Sequence, residues 1–339
     1  MSPYSMSGNT QILVSVVIPT HNRAALVPRA VKSALAQSFE AIEVIVIIDG
    51  PDPSTVAALR EIQDRRLRIL PLPQNVGGAA ARNAGVKNAT GEWIAFLDDD
   101  DEWLPCKIER QVKAALNSQY QWPIVASAII AKTPRSEFVW PRKSPTIPLS
   151  EYLFARNSWA QGEGLLQTST LLARRDLLLS IPFKEGLKKH QDWDWLLRAA
   201  VVPGVGVEFV PEPLAIWNLE ETRKTVSTTS DWKHSLTWIR DSRSLVTKRA
   251  YAGFFATQLS SQASREHAWQ AFFPLLREAI CEGEPKPIDI FLYVSIWLVP
   301  PSVRRWFRSK AEKSLRRHSR IHPFYTRPGL KIGALLKED

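Results

Sequence analysis

The chain has 339 residues, 45% of them apolar, which suits one large α/β domain with an appended segment or two domains and excludes a disordered or low-complexity protein. Two cysteines, Cys106 and Cys281, exclude a cysteine metal framework and allow at most one bridge, so a reducing compartment is the simpler expectation. The net charge of +10 is concentrated: between positions 301 and 320, Arg304, Arg305, Arg308, Lys310, Lys313, Arg316, Arg317 and Arg320 face only Glu312, a local +7 that points to a polyanionic partner and not to the chemistry of the main domain.

Residues 1–12 form a polar tail without an apolar core, so no secretion signal is expected. Residues 13–18 read as a strand ending in Pro19, and Leu26, Val27, Ala30, Val31, Ala34 and Leu35 then predict a helix over 24–39. A second strand over 43–48 runs into the turn Asp49-Gly50-Pro51-Asp52, followed by a helix over 54–63 and a short strand over 67–70 closed by Pro71 and Pro73. Gly77-Gly78-Ala79-Ala80-Ala81-Arg82 opens a small-residue helix leading to Gly91. Trp93-Ile94-Ala95-Phe96-Leu97 follows, an apolar run suited to a strand covered on both faces. This order of strands and helices implies right-handed crossovers and an open parallel sheet.

The last of these strands ends abruptly in Asp98-Asp99-Asp100-Asp101. Four adjacent carboxylates repel one another, and they read either as a solvated acidic turn or as a site for a hard cation of the Mg²⁺, Mn²⁺ or Ca²⁺ type. Ligands in open α/β sheets bind beyond the carboxyl ends of the strands, where Thr20, Asn22 and Arg23, then Asp49, then the four acids converge. Arg82 brings a guanidinium fork toward the same edge, and diphosphate is the ligand that fork fits. No Gly-rich dinucleotide fingerprint follows the first strand and no Walker sequence is present.

Beyond Glu102 the pattern predicts a helix over 102–116, a strand over 124–131, a Pro-rich surface connection over 134–148, and a strand or extended wall over 165–172. A helix starts near His190-Gln191-Asp192-Trp193-Asp194, with Trp193, Leu196, Leu197 and Ala200 on one face and both Trp193 and Trp195 in the core. Asp192 sits at its N-terminus, where a helix cap is the structural alternative to a chemical role. The chain is helical from Asp231 onward. Residues 288–301 are too short and interrupted to span a bilayer.

Val16-Val17-Ile18-Pro19-Thr20-His21-Asn22-Arg23, Asp49-Gly50, Asn75-Val76-Gly77-Gly78-Ala79-Ala80-Ala81-Arg82-Asn83, Leu97-Asp98-Asp99-Asp100-Asp101 and Gln191-Asp192-Trp193-Asp194 occur in that order, and with them the chain resembles a family 2 glycosyltransferase over roughly residues 13–220. The resemblance implies an α/β GT-A fold, a Rossmann-like, mostly parallel open sheet with flanking helices. It also implies a nucleotide diphosphate sugar donor, a divalent cation (Mn²⁺ or Mg²⁺) and inversion at the anomeric carbon. By resemblance, Pro19, Thr20, Asn22 and Arg23 line the nucleotide pocket and Asp49 accepts a hydrogen bond from the base. Gly78, Arg82 and Asp99 belong to the same donor site. Asp98 and Asp100 match the family's DXD motif, Asp100 as direct metal ligand and Asp98 beside the metal, holding ribose or sugar hydroxyls; Asp192 matches the general base. Ile48 and Gln191 stand where many members carry acids.

The expected organisation is a catalytic domain over 13–225, with a donor half (13–118) and an acceptor half (119–225), and a helical extension over 226–339 containing an amphipathic basic segment (288–320). In that segment Phe291, Leu292, Tyr293, Ile296, Trp297 and Leu298, followed by Val303, Trp306 and Phe307, supply interfacial apolar surface beside the basic run. The expected partners are the donor, a glycan or lipid-linked acceptor and an anionic membrane surface, with no nucleic acid, at the cytoplasmic face of the membrane. Two rivals are a nucleotidyltransferase acting on sugar phosphates, which would need a Gly- and Arg-rich loop directly after the first strand, and a non-catalytic basic adaptor for nucleic acid.

Overall fold

In the computed structural model the described residues are 12–134, 137–141, 143–158, 164–219, 231–299 and 303. The first half alternates β1 (Val14–Thr20), α1 (Val27–Leu35), β2 (Ile42–Ile48), α2 (Pro53–Arg60), β3 (Leu67–Pro71), α3 (Gly78–Asn88) and β4 (Trp93–Phe96). It continues through β5 (Glu102–Trp103), α4 (Lys107–Leu116), β6 (Trp122–Lys132), β7 (Glu137–Trp140), α5 (Leu149–Phe154), β8 (Leu172–Arg174), α6 (Arg175–Ser180), α7 (Gln191–Ala200) and β9 (Val205–Asn218). Five helices complete the described chain: α8 (Trp232–Asp241), α9 (Lys248–Phe254), α10 (Ser260–Arg265), α11 (Phe272–Cys281) and α12 (Pro287–Leu298).

The strands form one sheet in the order β3-β2-β1-β4-β8-β6-β9-β5, with β7 beside β6. Strands β1 to β4 are parallel, as the uninterrupted apolar runs predict; β8 then enters antiparallel between β4 and β6, and β9 runs parallel to β6. One sheet face packs Val14, Val16 and Ile18 against α1 and α4. The other packs Val17, Ile45, Ile47 and Phe96 against α3, α5 and α7, and this same core continues into Trp238, Tyr251, Phe254 and Tyr293 of the C-terminal helices.

Three local expectations are corrected and one strand is added. The helix expected over 102–116 starts at Lys107, because Glu102 and Trp103 pair with Ile216 and Ala215 as β5. The surface connection over 134–148 contains β7, paired with β6 from Ile129 to Lys132. The wall over 165–172 is a 3-10 turn, Thr168–Thr170, before β8. Strand β9 had no sequence counterpart: its Pro211 and Pro213 break the strand pattern, and the structure absorbs them where the register jumps from Ser127↔Val210 to Ala128↔Pro213, leaving Pro211 and Glu212 exposed.

In the C-terminal segment α12 presents Tyr293 and Trp297 inward, not to an interface. Tyr293, Ile296 and Trp297 are buried, Tyr293 Oη donating to Phe272 O at 2.6 Å, while Phe291 and Leu298 stay exposed. Arg249 pairs with buried Asp289 and donates to Arg156 O at 2.7 Å, tying α9 and α12 together and to the segment that follows α5. Arg304 to Arg320, with Trp306 and Phe307, lie outside the described residues.

At the edge opposite the acid turn, Glu43 is a buried charge on an otherwise apolar β2. Ser15 Oγ, Thr90 N, Thr90 Oγ1 and Arg68 Nη1 each donate to it at 2.6 Å, and Ser15 Oγ in turn accepts from Gly91 N. Only glycine fits at 91, where a Cβ would come within 2.7 Å of Leu13 O and Ser15 Oγ. Burial pushes the Glu43 pKa up, but the hydrogen bonds from Ser15, Thr90 and Arg68 outweigh it and hold it at about 2, below its usual 4.5. The folded state therefore binds fewer protons than the unfolded one in this range, so the stabilisation is complete above about pH 4.5 and lost as pH falls through 2. Glu43→Gln is expected to cost about 3 kcal/mol near neutrality, measured by urea unfolding, with the difference shrinking on acidification. Equal stability of the two proteins at pH 7 would contradict the role given to Glu43.

Candidate active site

Strand β1 delivers Thr20 and a left-handed turn at Asn22 (φ 53°) to the edge where β4 ends. Thr20 Oγ1 donates to Asp99 Oδ2 at 2.7 Å, and Arg23 Nη1 donates to Asp99 Oδ1 at 2.6 Å and to Asp100 Oδ2 at 3.1 Å. Pro19 and Asn22 flank these groups, Pro19 half-buried and Asn22 exposed. The turn after β4 is split by alternation. Asp98 and Asp100 remain partly exposed, whereas Asp99 and Asp101 point inward and are buried.

The inward pair holds the turn in place. Asp101 accepts from Ser169 Oγ at 2.7 Å and Gln167 Nε2 at 2.8 Å, and Asp98 N donates to Ser169 Oγ at 3.0 Å. Burial pushes the Asp99 carboxyl up to about 6, against the pull of Arg23 and Thr20. Burial, with Asp98 and Asp100 adding to it, pushes Asp101 up as well. Asp99, expected in the donor pocket, thus has both oxygens engaged in anchoring Thr20 and Arg23.

Asp49, at the end of β2, ties down the loop before α3. Its Oδ1 accepts from Val76 N at 2.7 Å and its Oδ2 from Gly77 N at 2.9 Å, while His21 Nδ1 lies 2.6 Å from its carbonyl oxygen. Each carboxylate oxygen has two lone pairs, so a further donor can still be accepted at this edge. Gly77 takes φ 86° to start α3, and Gly78 leaves room for the side chains of Arg82 and Gln191. A Cβ at 78 would lie 3.2 Å from Arg82 Nη1 and 3.3 Å from Gln191 Oε1.

Arg82 joins the two halves of the site. Its Nη2 donates to Asp98 Oδ1 at 2.6 Å and its Nη1 to Gln191 Oε1 at 2.9 Å, with the Phe183 ring 5.8 Å from the guanidinium carbon. The acid turn and the start of α7, 93 residues later at Gln191, are thereby brought to one place. Asp192 is not the cap of α7: His190 occupies that position in left-handed geometry, and Asp192 lies in the first turn, its Oδ1 accepting from Trp193 N at 2.9 Å. Burial, with Asp98 adding to it, pushes the Asp192 carboxyl up to about 6, although Arg82 pulls the other way. A carboxyl poised near neutrality beside a cluster of acids is the arrangement a general base requires.

The start of α7 is itself held by the C-terminal helix α8. His190 stacks on Trp193 (5.0 Å, 9°) and against Trp238 of α8 (4.7 Å), and its Nε2 lies 2.8 Å from Ser235 Oγ. Burial holds its pKa near 3, so the ring is neutral. The buried face of α7 is Asp194, Trp195, Leu196, Leu197 and Ala199; Ala200 is exposed and Trp193 half-buried, a correction to the face expected from spacing. Asp194 is buried because Arg198 Nε and Trp238 Nε1 both donate to it.

Sequence reasoning missed the support behind the acids. Buried Lys107 sits 4.0 Å from the Trp103 ring and donates to Gln111 Oε1 at 2.5 Å, while Gln111 Nε2 donates to Thr170 O and Trp103 Nε1 to Ser169 O. Lys107 and Gln111, four apart on the face of α4 that also buries Ile108, Val112 and Ala115, were the available signal. Gln167 and Ser169 had none. Among the described residues no group of three or more His, Cys, Asp or Glu is arranged to hold a metal. The outward carboxylates of Asp98 and Asp100 are hard oxygen donors of the kind Mg²⁺ and Mn²⁺ take, and such a cation would need its remaining ligands from phosphate oxygens and water.

The comparisons make the chain a glycosyltransferase with a fold of the GT-A type. The solved structure of S. aureus TarS 1–349 in complex with UDP-GlcNAc matches the fold with a TM-score of 0.53 at 19% identity, covering 87% of this chain and 92% of that one. The family model Glycosyl transferase family 2 matches residues 15–180, just under half of the chain, and together with the relatives supports a family 2 glycosyltransferase. Among relatives, the Amylovoran biosynthesis glycosyltransferase AmsB of Erwinia amylovora is 26% identical over 70% of this chain and 80% of its own length. The Succinoglycan biosynthesis protein ExoO of Rhizobium meliloti is 40% identical over 30% of this chain and 29% of its own. An Escherichia coli protein, UDP-Glc:alpha-D-GlcNAc-diphosphoundecaprenol beta-1,3-glucosyltransferase WfgD, is 34% identical over 31% of this chain and 42% of its own.

Proposed function

We propose that this enzyme transfers one sugar, with inversion, from a nucleotide diphosphate donor to a hydroxyl of a glycan or lipid-linked acceptor during assembly of a cell-surface polysaccharide. The observation that carries the proposal is the Arg82 bridge, which sets Asp98 on one arm and Gln191, next to Asp192, on the other. The names of AmsB, ExoO and WfgD support the polysaccharide and lipid-linked parts, and UDP-GlcNAc on the TarS fold supports the donor class.

In this scheme Thr20, Asn22, Arg23 and the loop held by Asp49 receive the nucleoside, and the Arg82 fork meets the diphosphate. Asp98 and Asp100 would hold Mg²⁺ or Mn²⁺, which when bound neutralises charge on the departing diphosphate. Asp192 accepts the acceptor hydroxyl proton as that oxygen attacks the anomeric carbon; the bond from that carbon to the diphosphate oxygen breaks, and the diphosphate leaves with the electron pair. Among the described residues no helix is long and apolar enough to cross a membrane. We place the encounter with a lipid-linked acceptor at the cytoplasmic face of the membrane.

The test is a thermal-shift screen of nucleotide sugars with and without Mn²⁺ or Mg²⁺. One donor at a hundredfold excess over its Kd is expected to stabilise the fold by about 2.7 kcal/mol, only with the cation present. Asp100→Ala, a change at the sheet edge and not in the core, is expected to abolish that cation-dependent shift while melting normally by itself. Cation-dependent stabilisation surviving intact in the variant would remove Asp100 from the metal site.

A further inference from the structure

We propose that the outer face of α11, together with Trp269 and Leu298, is a docking surface for an anionic lipid interface. Helix α11 is apolar on both sides. Inward it buries Leu275 and Ala279; outward it shows Phe273 (76% exposed), Pro274, Arg277 and Ile280 (52% exposed). Phe273, Arg277 and Ile280, spaced i, i+4, i+7, form one strip about 10 Å long. A surface helix ordinarily turns polar residues outward, and the one charge in this strip is cationic.

The strip is part of a larger corner. Exposed Trp269 lies 5.4 Å from Trp297, which lies 5.5 Å from Phe272, whose ring is 5.1 Å from Phe273. Leu298, 63% exposed, follows Trp297 at the end of α12. Tyr293 and Trp297 behind it are buried, so the exposed side chains stand on a packed base instead of a frayed end. Three large apolar residues, Trp269, Phe273 and Leu298, thus sit around one helix-helix junction, with Ile280 two turns further along α11, an arrangement that marks an interaction surface.

Charge identifies the occupant. Within the twenty-odd residues after Leu298 the sequence places eight Lys or Arg against one Glu. An aromatic and aliphatic surface followed in sequence, after Leu298, by a strongly cationic run matches the boundary between acyl chains and anionic headgroups. A second copy of the chain carries the same cationic run, so like charges oppose its approach. Nucleic acid would engage the cations but has no use for Phe273, Ile280 and Leu298. The inference stands apart from the proposed sugar transfer, because it is read by binding alone.

Co-flotation of the full chain with vesicles tests it, using phosphatidylcholine alone and phosphatidylcholine containing phosphatidylglycerol, at low and high salt. Binding is expected on the anionic vesicles only, weakened by salt, and reduced about tenfold or more by Phe273→Ser with Ile280→Ser at an unchanged melting temperature. Phe273→Asp alone, at the most exposed of the positions, serves as a second variant and is expected to act in the same direction. Equal flotation of folded wild type and variants would overturn the proposal. So would a wild type that ignores vesicles but loses self-association, or RNA binding, on the same substitutions.

Discussion

Asp192→Asn is expected to leave the melting temperature and donor affinity close to wild type while lowering the rate of transfer by roughly 10²- to 10⁴-fold. The amide keeps the shape of the side chain and can still accept from Trp193 N, the hydrogen bond Asp192 makes in the fold. What it loses is the capacity to take a proton. With the carboxyl pushed up to about 6 by burial, the base is ionised above that pH and protonated below it. Transfer at saturating donor should therefore fall about tenfold per pH unit below 6 and level off above, with this limb absent from the residual activity of the variant. Steady-state rates across pH 5 to 8 measure both. A variant with wild-type turnover and a lower melting temperature would make Asp192 a structural residue of the first turn of α7.

Arg82→Lys is the second change with a large expected effect, although it keeps the charge. The two arms of the guanidinium reach Asp98 and Gln191 at once, at 2.6 and 2.9 Å, and an ammonium has no fork with which to hold both and grip a diphosphate. Donor affinity is expected to fall about tenfold or more, and transfer by roughly 10²-fold beyond that as α7 loses its tie to the acid turn. Isothermal titration with the donor and single-turnover rates separate the two losses. A lysine variant that binds and turns over normally would show that the bridge is ornamental and that the two halves of the site are aligned by core packing alone.

The first half of this architecture was legible because β1, β2 and β4 are covered on both faces. Such strands appear as unbroken apolar runs, and each ends in a polar cluster that the parallel topology places at one edge, so Thr20, Asp49 and Asp98 could be assembled in advance. The alternation inside the acid run could not. Whether Asp99 or Asp100 faces outward depends on Ser169 and Gln167, about 70 residues away, and on Thr20 and Arg23. Strand β5 consists of two residues and exists only because β9 lies beside it, while β9 was hidden by its prolines.

The acceptor side was less legible still, for a different reason. Asp192 was found by motif, but what positions it comes from Arg82 and from the contact of His190 with Ser235 and Trp238, elements separated by long stretches of chain. Nothing periodic in the sequence announces such contacts. The apolar content of residues 288–298 was visible, but its direction was set by Phe272 and Trp269, which draw Tyr293 and Trp297 inward and leave α11 to present the exposed surface.

The most direct measurement on the chain is the stoichiometry of its reaction. The protein is incubated with each nucleotide sugar, Mn²⁺ or Mg²⁺ and a hydroxyl acceptor, lipid-linked or free, and all products are quantified by mass spectrometry. The expected result is one nucleoside diphosphate released for each sugar gained by the acceptor, with one donor strongly preferred. Nucleoside triphosphate and sugar 1-phosphate formed from donor and added pyrophosphate, with no glycosylated acceptor, would instead show nucleotidyl transfer and contradict the assignment of sugar transfer to this site.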